Sequence, residues 1–166
     1  MTRRKLMNLF SLFGIGASAA SASTAADAAN AATPRSDRVQ KTDAEWRAQL
    51  PAAAYEVLRH EGTERPYSST LNAEKRAGQY ACAGCGLALF ASATKFDSGT
   101  GWPSFYAPLA EAVDTRTDYK LILPRTEYHC ARCGGHQGHV FNDGPRPTGQ
   151  RYCNNGVALR FEAQAA

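Results

Sequence analysis

No stretch of this 166-residue chain holds the ~20 consecutive apolar residues that a membrane-spanning helix needs. No helical span is therefore expected. The chain also has little excess charge. Its formal net charge is +4, and about half of that falls in residues 1–34, where Arg3, Arg4 and Lys5 stand against Asp27. The remainder carries no basic cluster, so the electrostatic footprint of a nucleic-acid-binding protein is missing. The alternation of strands with long helices that builds a parallel sheet is missing too. Cysteine is scarce and odd in number, at five, so at least one thiol has no partner within the chain.

What is present reads as one globular domain with its own core, at 43% apolar and 20% charged residues. An apparent export signal precedes it. Thr2-Arg3-Arg4-Lys5 forms a charged start, Leu6 to Ala20 a moderately apolar stretch, and Ala17 to Ala32 offers several Ala-x-Ala-like cleavage sites. The arginine pair resembles a twin-arginine signal; an ordinary secretory signal and an organellar transit peptide are the alternatives. The expected organisation is an export signal over 1–34, a linker over 35–41 and the working domain over 42–163, with a periplasmic destination.

Thr42 and Glu45 have the spacing of a capping box, and Trp46 and Leu50 lie four apart. A short helix is predicted there, ended by Pro51. A second is predicted over 52–60 and stopped by Gly62. From Gly78 onward, short apolar or alternating runs are broken by Gly, Pro, Asn and Asp. Strands are predicted at 79–82, 87–91, 111–115, 119–123, 127–130, 139–142, 151–153 and 156–161. The fold class is mainly β, antiparallel, with a short helical N-terminal arm.

Cys82-Ala-Gly-Cys85-Gly and Cys130-Ala-Arg-Cys133-Gly repeat one pattern. A glycine after the second cysteine tolerates positive φ and allows a tight knuckle. Two knuckles supply four thiolates for a tetrahedral Zn²⁺, closed to water and so structural. Two disulfides or a thioredoxin-like redox pair are the alternatives. The doubled spacing favours zinc.

Cys153 is left over, in Arg151-Tyr152-Cys153-Asn154-Asn155-Gly156. A lone cysteine is often just a small buried apolar group. Here Arg151 and Asn155 flank it at strand spacing, where a cation favours the thiolate and an amide can donate a hydrogen bond. His136 and His139 lie just upstream, in a stretch too polar and too small for a packed strand. Each histidine alone could be structural, but the combination fits thiol chemistry. The loop Phe96 to Tyr106 displays Trp102, Phe105 and Tyr106, either folded back on the core or walling a pocket for a small apolar group.

Ser98-Gly-Thr-Gly-Trp-Pro-Ser-Phe105, the two Cys-x-x-Cys pairs, Gly135-His-Gln-Gly-His-Val-Phe141 and Arg151-Tyr-Cys-Asn-Asn-Gly156 together resemble the methionine-R-sulfoxide reductases of B type. The resemblance runs from about Thr42 to Glu162. It implies two twisted antiparallel sheets with short N-terminal helices, and a structural zinc on Cys82, Cys85, Cys130 and Cys133. It implies reduction of the R epimer of free or protein-bound methionine sulfoxide by Cys153, assisted by His139, His136 and Asn155. Trp102 would meet the substrate methyl group, with Phe105 and Arg151 nearby. Many members of that family carry a resolving cysteine in the Ser-Gly-x-Gly-Trp-Pro loop, where this chain has Thr100. The expectation is therefore a one-cysteine cycle closed by an external thiol or a thioredoxin-like protein, in a monomer. A zinc-ribbon module gripping a peptide, and a thiol oxidoreductase, are the competing readings.

Overall fold

The computed structural model describes residues 35–165. The export signal expected over 1–34 lies outside the described residues.

Helix α1 covers Asp43–Gln49 and starts as its sequence dictates. The Thr42 N–H donates to Glu45 Oε2 at 2.7 Å, and the Glu45 N–H returns a bond to Thr42 Oγ1 at 3.3 Å. Trp46 is its buried residue. Helix α2, Ala52–His60, buries Ala54, Tyr55, Val57 and Leu58 on one face. The helix keeps its predicted span of 52–60, but the left-handed residue that ends it is Glu61 rather than Gly62. Glu61 takes the left-handed conformation (φ 56°), and the Gly62 N–H bonds back to the Glu56 carbonyl at 3.1 Å. The strain at Glu61 is offset by its carboxylate, which pairs with Arg116 and Lys120.

Nine strands follow: β1 Gly78–Cys82, β2 Ala88–Ala91, β3 Lys95–Phe96, β4 Ser104–Phe105, β5 Val113–Asp118, β6 Arg125–Cys130, β7 His136–Phe141, β8 Arg151–Asn154 and β9 Leu159–Ala163. They form two sheets, ordered β2-β1-β9 and β3-β4-β8-β7-β6-β5. Every pairing is antiparallel. The mainly-β, two-sheet expectation is met.

Aromatic side chains fill the core. Phe90 of β2 stacks on Phe105 of β4, with centroids 4.2 Å apart. Tyr80 meets Phe105 edge-on at 4.9 Å, and Tyr128 meets Tyr152 at 5.3 Å. Such pairs contribute about 0.5–1.5 kcal/mol each beyond the area they bury. The arm is attached by burial of Trp46, Val57 and Leu58 in the same core.

Three strand expectations fail for physical reasons. Residues 119–123 are not a strand. β5 and β6 pair without interruption from Val113↔Cys130 to Asp118↔Arg125, so the apolar Leu121-Ile122-Leu123 run is the exposed connection of that hairpin. β3 and β4 have two residues each, too short to show a period. His136-Gln137-Gly138 belongs to a packed strand after all, with all three residues buried. Gly138 is required there, because a Cβ would lie 1.9 Å from the Cys153 carbonyl oxygen.

Candidate active site and metal centre

Cys82 ends β1 and Cys130 ends β6, and each continues into the turn that holds its partner. The turns are the expected knuckles. Gly86 (φ 76°) and Gly134 (φ 66°) are left-handed. Their N–H groups close onto the Cys82 and Cys130 carbonyls, each at 2.8 Å. The four Sγ atoms all lie within 4.8 Å of one another. Cys82 and Cys133 are 3.7 Å apart, Cys85 and Cys130 3.5 Å. That is far beyond a disulfide bond of about 2.05 Å. It is close to the ~3.8 Å edge of a tetrahedron with metal–sulfur bonds of about 2.3 Å. Thiolates packed so closely repel one another unless a cation joins them. The donor set therefore fits a metal ion, with Gln137 Nε2 donating to Cys82 Sγ at 3.4 Å. Such an ion would tie the three-stranded sheet to the β6–β7 hairpin of the other sheet.

Cys153 lies apart from that cluster, at the wall of a cleft of about 140 Å³. Its strand β8 is central. The register sets His139 of β7 directly opposite it on one side and Ser104 of β4 on the other. Cross-strand partners share a face, so His139 and Cys153 both line the cleft. Trp102, Phe141, Thr63 and Asn155 complete much of the wall. Trp102 is held in place by a bond from its Nε1 to the Glu64 carbonyl at 3.1 Å.

Burial pushes the Cys153 thiol above its ordinary value, against the opposing pull of the nearby Arg151 guanidinium and Thr100 hydroxyl. Burial pushes His139 below its ordinary value, against the pull of Asp118. Both groups are therefore neutral near pH 7. His139 Nε2 lies 2.8 Å from Asp118 Oδ2. A carboxylate only accepts, so Nε2 carries the proton and Nδ1 is the free base. Asp118 is held well below the usual carboxylate range by the Lys120 N–H, His139 and Arg125.

A family model described as the SelR domain matches residues 50–163. The chain belongs to that family. It is 54% identical over 129 residues to the peptide methionine sulfoxide reductase MsrB of Leifsonia xyli subsp. xyli, an alignment spanning 76% of this chain and 93% of that protein. It is 55% identical over 128 residues to the Pseudomonas putida protein of the same name, spanning 75% of this chain and 95% of that one. The Bradyrhizobium diazoefficiens MsrB is 53% identical over 127 residues, spanning 76% and 91%.

Within this SelR domain the expected site residues separate. Cys153, His139, Trp102 and Asn155 come together in the cleft. Asn155 makes no hydrogen bond to the thiol. Its Nδ2 donates to the Gln137 carbonyl at 2.9 Å, and its Oδ1 accepts the Glu64 N–H at 3.0 Å. It braces the segment on which Trp102 leans. His136 stands behind His139, with ring centroids 5.5 Å apart, and bonds through Nδ1 to the buried Glu127 at 2.7 Å. Arg151 is clamped by both oxygens of Asp143, at 2.8 and 2.9 Å, and its charge acts on the Cys153 thiol from there. Phe105 is a correction. It is fully buried in the aromatic core and does not reach the cleft.

Asp118, Arg125, Glu127 and Glu64 were missed. Glu64 accepts the N–H groups of Gly156 and Val157 at 2.6 and 3.0 Å, which ties the helical arm to the turn after Cys153. Nothing in the spacing of these residues pointed to Cys153, because the contacts that bring them close are long-range. Phe141 ends the Gly-His-Gln-Gly-His-Val-Phe motif and was within reach of the sequence.

Proposed function

We propose that the protein reduces the R epimer of methionine sulfoxide, free or protein-bound, to methionine, with Cys153 as the nucleophile. The observation that carries the reading is His139 opposite Cys153 in a cleft walled by Trp102 and Phe141.

The proton balance follows from the two displaced titrations. Neutral His139 takes the thiol proton of Cys153 as substrate arrives. The resulting thiolate attacks the sulfoxide sulfur while the imidazolium returns the same proton to the sulfoxide oxygen. The attack forms a sulfur–sulfur bond; the hydroxyl oxygen then passes to the Cys153 sulfur as the sulfur–sulfur and substrate sulfur–oxygen bonds break, methionine leaves, and Cys153 is left as a sulfenic acid. The cysteine sulfur loses the two electrons that the substrate sulfur gains. No proton enters from outside. His139 thus serves as base first and acid second, a larger role than the general acid alone. Trp102 and Phe141 offer the apolar surface for the methyl group.

Regeneration needs a thiol from elsewhere. The remaining cysteines form the four-sulfur cluster, and the loop that holds Trp102 carries Thr100 and no cysteine. An external thiol or a thioredoxin-like protein attacks the sulfenic acid, releases water and is displaced by a second thiol. Cys82, Cys85, Cys130 and Cys133 hold one Zn²⁺, which supplies a structural cross-link and takes no part in the reaction. The Arg3-Arg4 start supports export by a twin-arginine route to the periplasm. Assay of both sulfoxide epimers with a thiol donor tests the reading. Turnover of the R epimer alone, lost in Cys153→Ser, is expected; turnover surviving in that variant would overturn it.

A further inference from the structure

Large exposed apolar side chains on the described surface fall in two places. Tyr119, Leu121, Ile122 and Leu123 are 58–101% exposed, and all sit in the β5–β6 connection. The other exposed one, Tyr67, stands beside the Trp102 loop, where its hydroxyl donates to the Gly99 carbonyl at 2.7 Å and its N–H to the Gly101 carbonyl at 2.7 Å. Leaving such residues in water serves no packing purpose in a single domain, and grouped apolar exposure marks a binding surface.

The β5–β6 connection is anchored to the catalytic histidine. Asp118 at its start accepts the Lys120 N–H at 2.8 Å and Arg125 Nη2 at 2.6 Å, and its Oδ2 also receives His139 Nε2. Leu121, Ile122, Leu123 and Pro124 form one side of a wide groove of about 720 Å³. That groove shares Arg125 and Phe141 with the cleft at Cys153, so the two adjoin. The cleft suits one small side chain. The groove has room for more.

We propose that the groove beside Leu121, Ile122 and Leu123 docks the polypeptide next to the methionine sulfoxide. It selects substrates with a large apolar residue within a position or two of the oxidised methionine. This rests on the sulfoxide-reductase reading and names its substrate class. An extended chain advances about 3.3 Å per residue, so a neighbour of the oxidised residue reaches an adjoining groove without strain. Segments rich in apolar residues are those buried in folded proteins and exposed when oxidation loosens them.

The test compares the full-length protein with a Leu121→Ser/Ile122→Ser/Leu123→Ser variant. Substrates are short peptides with a central methionine sulfoxide flanked by leucine or by glycine, with free methionine sulfoxide as reference. The unsubstituted protein is expected to prefer the leucine peptide roughly tenfold in kcat/KM, the scale of burying part of one apolar side chain. In the triple variant the ratio should fall to near one. A ratio near one before substitution, or a preference that survives it, would overturn the proposal. Peptide affinity read by Trp102 fluorescence in Cys153→Ser separates docking from chemistry. Flank-dependent binding without turnover would sink the reductase reading and leave the docking surface standing. Self-association or binding to lipid vesicles abolished by the triple substitution, without any flank preference, would assign the surface to another occupant and overturn the proposal.

Discussion

His139 and Cys153 are direct cross-strand partners on β7 and β8, and burial moves their titrations apart in opposite directions. The histidine is thereby kept able to accept a proton that the cysteine still holds. Loss of the imidazole in His139→Ala is expected to cost about 10²–10⁴ in kcat, the usual contribution of a positioned proton-transfer group. Cys153→Ser should abolish turnover outright. Equal losses for His136→Ala and His139→Ala would contradict the assignment, because His136 does not line the cleft.

The pH profile follows with a definite sign. kcat/KM should rise with pH as His139 loses its proton, at a value below its ordinary 6.5. It should then stay level, and fall when Cys153 loses its proton, above its ordinary 9.0. At that point the proton destined for the sulfoxide oxygen is gone. Rates measured across this range check both limbs. A rate that keeps climbing above pH 9.0 would show that a free thiolate suffices.

Metal content is expected to be one zinc per chain. Cys130→Ser should lose it and lower stability by about 4 kcal/mol, the linkage contribution of an ion present at a thousand times its Kd. Elemental analysis with thermal unfolding checks this. Stoichiometric zinc retained in Cys130→Ser would contradict the four-thiolate site.

Much of this architecture was legible in the sequence because it is local. The Thr42–Glu45 capping box, the Pro51 break and the two Cys-x-x-Cys-Gly knuckles are all settled within a few residues. The failures are non-local. Leu121-Ile122-Leu123 has the composition of a strand, but the β5–β6 register leaves it as the turn. Phe105 sits in a loop sequence with Trp102, yet its two-residue pairing with β8 turns it into the core while Trp102 stays at the cleft. Asp118 gains its role only when β5, β6 and β7 lie side by side.

Thr100 offers a gain-of-function test. It stands in the loop that leads into β4, where its Oγ1 lies 2.8 Å from Ser98 Oγ, which lies 2.8 Å from Ser104 Oγ, and Ser104 is directly opposite Cys153. Thr100→Cys should therefore give an internal disulfide with Cys153 after each turnover. Recycling by a thioredoxin-like reductant should then speed up relative to small monothiols. Electrophoresis under non-reducing conditions and donor-dependent rates check both points. A variant whose Cys153 still accumulates as a sulfenic acid would show that the loop cannot bring the two sulfurs together.

The central claim is that one cysteine carries the whole oxidation. Mass spectrometry of the full-length protein after a single turnover with the R sulfoxide, in the absence of added thiol, tests it most directly. The expected result is one oxygen trapped as a sulfenic acid on Cys153, with Cys82, Cys85, Cys130 and Cys133 unmodified. A stoichiometric disulfide between Cys153 and any of those four, or methionine released with Cys153 still reduced, would contradict it.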